Sequence, residues 1–216
     1  MKTKKLITAL LIIIVICFIA GELTDRSREA TDKYGWELIL VNSDNFIPED
    51  YEVQLLTLSN GQQVDERIYP DLQDMFDAMR QEGHKPTVVS GYRSNAEQKA
   101  VLKDKTKEYT DDGYPKAVAE SLALQWVAKP GTSEHQLGIA VDINPDYSVS
   151  KGWGFYNWLK DNAHKYGFVK RYPDDKTDIT GISNEPWHYR YVGEEAAKIM
   201  YEENLCLEEY IEKYCE

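Results

Sequence analysis

The chain has 216 residues, 42% hydrophobic and 12% aromatic, which suits one domain with a sizeable core plus a short additional segment and excludes a largely disordered polymer. No internal repeat is visible. The formal net charge of -12 argues against a basic face that would grip nucleic acid or an anionic surface, and it fits a soluble extracellular domain.

The chain opens "MKTKKLITALLIIIVICFIAGELTDRS", with Lys2, Lys4 and Lys5 ahead of an uncharged run from Leu6 to Gly21. Residues 1–21 read either as a signal peptide or as an N-terminal membrane anchor. Phe18 stands two positions before Ala20, so the small-x-small cleavage pattern is missing and the anchor is favoured. The lysines then stay in the cytoplasm and the domain lies outside. Bulky Ile16 ahead of Cys17 disfavours a lipoprotein signal. Residues 22–33 are polar and read as a tether; residues 34–216 form the domain.

Within the domain, "WELILVNSDN" (36–45) reads as a strand ending in a turn. "YPDLQDMFDAMRQEG" (69–83) reads as a helix, because Leu72, Met75, Phe76 and Met79 recur at helical spacing and Gly83 closes it. "KPTVVSGY" is a short strand. "SNAEQKAVLKDKTKEY" is a helix that Ser94 or Asn95 can cap. "PKAVAESLALQWVAKPG" is a helix started by Pro115 and stopped at "KPG". "GIAVDI" is a strand, "GFYNWLKDNAHKYG" a helix, "FVKRY" and "HYRYV" strands, and the chain from Glu194 is helical. Elements mix without a regular βαβ repeat, which predicts an α+β fold with a small, mostly antiparallel sheet and flanking helices. Cys206 and Cys215 can pair only if a helix between them breaks, since nine residues of helix separate them by ~13 Å.

Three stretches carry chemistry. In "GIAVDI", alternation puts Gly138, Ala140 and Asp142 on one face and Ile139, Val141 and Ile143 on the other. A lone buried aspartate is costly, so Asp142 calls for a cation or strong donors. Taken alone it is also explained by a cap or a salt bridge. In "NEPWHYRYVG", Pro186 excludes a regular helix across Glu185 and His188. A turn entering a strand is expected, with His188, Arg190 and Val192 on one face. In "SGYRSNAEQ", Arg93 stands on a loop before a helix, where a fixed guanidinium can bind a carboxylate or a developing oxyanion.

Together the stretches make a complete set. His135, Asp142 and His188 supply three ligands and leave a fourth position open on Zn2+. Glu185, not a ligand, is placed to act as general base, and Arg93 adds a complementary charge. His84 and His164 lack such neighbours. No nucleophile elbow, S-x-x-K serine site or phosphate loop is present. Tyr156, Trp153 and Trp158 read as core.

"SGYRSNAEQ", "SEHQLGIAVD" and "EPWHYRYVG" resemble the three signature blocks of the VanY-type D-alanyl-D-alanine carboxypeptidase family, zinc peptidases of peptidoglycan that include L,D-carboxypeptidase relatives. The middle block matches S-x-H-x-x-G-x-A-x-D at every fixed position, and the resemblance covers roughly residues 34–204. It implies that His135, Asp142 and His188 bind zinc, that Glu185 is the base, and that Arg93 contacts substrate or intermediate. It further implies that Gln98, Ser133 and Trp187 line the site. The implied scaffold is similar to the hedgehog signalling domain, on which a zinc site need not be catalytic. The expected activity is removal of the terminal D-alanine from a peptidoglycan stem peptide. The alternatives are an L,D-carboxypeptidase acting on the tetrapeptide and a non-catalytic, zinc-stabilised wall-binding module. The module has no need of Glu185.

Overall fold

The computed structural model describes residues 34–148 and 154–215. The N-terminal segment, the tether and Trp153 lie outside the described residues.

A four-stranded antiparallel sheet occupies the centre, in the order β3 (Pro86–Ser90), β4 (Ala140–Pro145), β6 (His188–Tyr191), β5 (Phe168–Lys170). A two-stranded antiparallel ribbon, β1 (Leu55–Thr57) with β2 (Gln63–Asp65), stands beside it. The fold is thus α+β with small antiparallel sheets, as the mixed element order predicts.

Alternation along the strands separates two faces. Val141 and Ile143 of β4, with Tyr189 and Tyr191 of β6, enter the main core. They meet Leu72, Met75, Phe76 and Met79 of α1 (Tyr69–Gln81) and Phe155, Trp158 and Leu159 of α4 (Phe155–Asn162). Each large apolar side chain fully withdrawn from water contributes about 1.5–3 kcal/mol. The opposite face carries Asp142, His188 and Arg190. A helical hairpin, α2 (Asn95–Asp111) and α3 (Lys116–Ala123), borders it. Ser94 caps α2: its hydroxyl accepts from the Glu97 amide while the Glu97 carboxylate accepts from the Ser94 amide. After β5 come the single turn α5 (Thr177–Thr180) and, beyond β6, α6 (Glu194–Glu202) and α7 (Leu207–Tyr214). Val169, Val192, Met200, Leu207 and Ile211 form a second core beneath these last helices.

Four segments depart from the sequence reading. Residues 36–45 form a 3-10 turn (Trp36–Leu38) and irregular chain instead of a strand. The carbonyls of Glu37 and Ile39 are claimed by the Arg190 guanidinium at 2.8 and 2.9 Å, not by a neighbouring strand. The apolar run reflects burial of Ile39 and Val41 in the core. α3 stops at Ala123, well before "KPG", because the chain turns over residues 124–127 and the Gln125 carbonyl accepts from the Ser183 amide at 2.7 Å. The helix from Phe155 tightens into a 3-10 turn over Ala163–Tyr166 before left-handed Gly167. The C-terminal helix breaks at Asn204, whose φ is 53°. That break does not bring the cysteines together: Cys206 and Cys215 sit at the two ends of α7, and no disulfide joins them.

One polar tie fastens α7 to the sheet. The buried Arg171 guanidinium donates to both Glu208 oxygens, at 2.8 and 2.6 Å. Asn42 adds a third bond to Glu208 at 3.1 Å. Burial alone would raise the Glu208 carboxyl, but the Arg171 charge outweighs it and holds the group below its ordinary value of 4.5. A carboxylate depressed on folding stabilises the protein fully above that ordinary value and ceases to do so as the pH falls through its folded value. Glu208→Gln is therefore expected to cost about 1–3 kcal/mol at pH 7, with the gap to wild type narrowing under acid; urea titrations across pH 3–7 measure both.

Candidate metal centre

Asp142 and His188 meet because β4 and β6 pair in a single register. Asp142 lies directly opposite His188, and Ala140 opposite Arg190. The small side chain of Ala140 lies across from the fully buried Arg190. His135 arrives from the 3-10 turn Glu134–Leu137, which ends at left-handed Gly138 (φ 75°). A Cβ at Gly138 would lie 2.9 Å from Val53 Cγ2 and 3.1 Å from the Asp65 amide nitrogen, so the position requires glycine on two counts. The turn delivers the His135 ring beside the strand, with its Nε2 3.4 Å from Asp142 Oδ1. His188 Nδ1 is 3.1 Å from the same oxygen. One donor atom from each of the three buried residues falls within 4.8 Å of the others. Two imidazole nitrogens and one carboxylate oxygen at this spacing fit a zinc ion with a fourth position left open.

Outer partners orient the ligands. His135 Nδ1 lies 2.8 Å from the Gly91 carbonyl, so the ring donates there and turns Nε2 inward. The Gly91 backbone comes so close to β2 that an added Cβ would sit 2.1 Å from the Gln63 carbonyl oxygen. Arg93 donates to Asp142 Oδ2 at 2.9 Å, to Ser90 Oγ at 2.8 Å and to Gln98 Oε1 at 3.3 Å. The sequence reading gave Arg93 to the substrate; here one of its nitrogens also fixes a metal-site carboxylate. Gln98 is itself held by the Ala128 carbonyl at 2.7 Å.

Glu185 sits in the turn before β6, tied by its amide to the Tyr172 carbonyl at 3.0 Å. Its Oε2 is 3.6 Å from His188 Nδ1, beside the three-donor cluster but not part of it. Burial pushes its carboxyl up to about 7, with His188 and Arg93 opposing and Asp142 assisting. Burial opposes a charge on His188, yet Asp142, Glu134 and Glu185 together push that ring up to about 9. Asp142 moves the other way: against its burial, His135 and His188 hold it far below the usual carboxylate range. Metal binding here displaces protons.

All eight residues singled out from the sequence line one cleft of about 140 Å³: Arg93, Gln98, Ser133, His135, Asp142, Glu185, Trp187 and His188. Val101, Trp126, Val127, Ala128, Tyr172 and Ile182 complete its wall and were not anticipated. Trp126 comes from the turn that replaces the expected end of α3. A larger cavity of about 360 Å³ lies elsewhere, around His164, Lys170 and Tyr201. Among the described residues the three-donor cluster belongs to the smaller cleft.

Comparison with known proteins agrees with this geometry. Residues 61–194 match the family model VanY, D-alanyl-D-alanine carboxypeptidase. A D-alanyl-D-alanine carboxypeptidase of Enterococcus faecalis (strain ATCC 700802 / V583) is 55% identical over 185 residues, covering 86% of this chain and 69% of that protein. The solved structure of VanYB with D-alanine-D-alanine superposes with a TM-score of 0.81 at 55% identity, over 83% of this chain and 99% of that one. A mutant VanY D,D-pentapeptidase from a VanB-type resistance cassette, in complex with Zn(II), gives 0.80 at 56% identity, over 82% and 99%. His135→Ala and Asp142→Ala are each expected to abolish stoichiometric zinc binding, read by elemental mass spectrometry after dialysis; full occupancy in either variant would remove that residue from the ligand set.

Proposed function

The chain belongs to the VanY family of D-alanyl-D-alanine carboxypeptidases, and from that premise we propose that it is a zinc D,D-carboxypeptidase removing the terminal D-alanine from peptidoglycan stem peptides. The observation that carries the reading is Glu185: a buried carboxyl beside three metal-binding side chains, but not one of them, in a cleft with room for a peptide terminus. A zinc site serving only stability would not need it.

Bound by His135, Asp142 and His188, zinc supplies a Lewis acid that polarises a carbonyl and lowers the proton affinity of water. Glu185 takes the proton released by the attacking water and delivers it to the departing amine. Arg93 places a guanidinium on the same wall, where it holds substrate oxygen while keeping Asp142 aligned. Gln98, Ser133 and Trp187 bound the space that the terminal residue fills.

We place the domain outside the membrane. The support is the sequence: three lysines ahead of the uncharged run Leu6–Gly21 favour an N-terminal anchor with an external domain. Among the described residues no helix is long and apolar enough to cross a membrane.

Glu185→Gln is expected to keep its zinc and lose about 10²–10⁴-fold in turnover. The assay is release of one alanine from a synthetic pentapeptide, followed by mass with and without chelator. Wild-type turnover in the variant would discard Glu185 as the base, and metal-dependent trimming of the tetrapeptide alone would assign L,D specificity instead.

A further inference from the structure

His135 and Asp142 each have an outer partner, the Gly91 carbonyl and the Arg93 guanidinium. The outer nitrogen of His188 has no hydrogen-bond partner, although the ring is buried. The group facing it is Glu134, whose Oε2 lies 3.7 Å from His188 Nε2. That oxygen is likewise buried and without a hydrogen bond. Its twin is fully engaged: Glu134 Oε1 accepts from Arg171 Nε at 2.8 Å and from Arg190 at 2.9 Å. Both arginines are fully buried. Arg190 is fixed in turn by the carbonyls of Tyr191, Glu37 and Ile39, and Arg171 by Glu208. Two guanidinium groups thus clamp one oxygen of a carboxylate and leave the other aimed at a histidine nitrogen that lacks an acceptor.

We propose that Glu134 is a positioning residue for the metal centre, accepting the Nε2–H of His188 and so fixing the tautomer whose Nδ1 lone pair faces the metal. A neutral imidazole carries one proton, and the nitrogen holding it cannot ligate. An acceptor behind Nε2 keeps the proton there and leaves Nδ1 bare beside Asp142. A closure of less than an ångström brings the 3.7 Å separation into hydrogen-bond range. Arg171 and Arg190 do not touch the ligands; they aim the carboxylate. The proposal rests on zinc binding by His135, Asp142 and His188.

Glu134→Gln tests it. The arginines take the amide oxygen, so the amide NH₂ points at His188 Nε2 and favours the tautomer protonated on Nδ1. Zinc affinity, measured by competition with a chromogenic chelator, is expected to fall about 10–100-fold. Glu208→Gln is the control, because it disturbs the same arginine network without facing His188. It should unfold more easily yet lose clearly less zinc affinity than Glu134→Gln, because Arg190 still holds the carboxylate. Wild-type affinity in Glu134→Gln, or an equal loss in Glu208→Gln, overturns the proposal. If Glu134→Gln does not fold, nitrogen-15 spectra of the zinc-loaded wild type decide. A slowly exchanging Nε2 proton on His188 is expected, and rapid exchange of it, or ligation through Nε2, overturns the assignment. A wild-type protein that binds no zinc defeats the underlying reading instead.

Discussion

The site depends on one pairing register. Asp142 stands opposite His188 because β4 and β6 align as they do, and a slip by a single residue would put the two side chains on opposite faces of the sheet. The register is held from the far side. Val141, Ile143, Tyr189 and Tyr191 pack against α1 and α4, so the hydrophobic core specifies which residues face the cleft. Core and chemistry are two faces of the same four strands.

The second constraint is electrical. The polar face withdraws Glu134, Asp142, Arg171, His188 and Arg190 almost completely from water. Each isolated ion would cost several kcal/mol there. They are tolerated as an alternating array, with Arg93 against Asp142, Arg171 and Arg190 against Glu134, and Glu208 against Arg171. Such an array adds little to net stability compared with an apolar core, but it admits few rearrangements, since moving one charge strands another. A metal centre gains from that rigidity because its ligands are held before any ion arrives.

Much of this was legible in the sequence, for identifiable reasons. Strand alternation placed Asp142 opposite the apolar face, and helical spacing found α1 from Leu72, Met75, Phe76 and Met79. The resemblance of three short blocks gathered residues nearly a hundred positions apart into one cleft. Local pattern failed where tertiary contacts took over the backbone. Residues 36–45 look like a strand because Ile39 and Val41 are buried, yet the carbonyls of Glu37 and Ile39 serve Arg190. α3 looks longer because nothing in "LALQWVAKPG" announces that Gln125 will pair with Ser183. Arg171 and Arg190 were visible only as charges inside strand-like stretches and Glu134 as a polar neighbour of His135, signals that do not name the partner.

The attachment of Glu208 to Arg171 bears on how the protein is made. α7 is the last helix of the described fold, so a ribosome completes it after every other element. Until then Arg171 and Arg190 share Glu134 alone, leaving one surplus positive charge beneath the nascent sheet. That surplus is neutralised only when Glu208 docks. The polar layer therefore closes only once α7 has been made and has docked, and a chain without α7 lacks the counter-charge that lets its buried arginines settle.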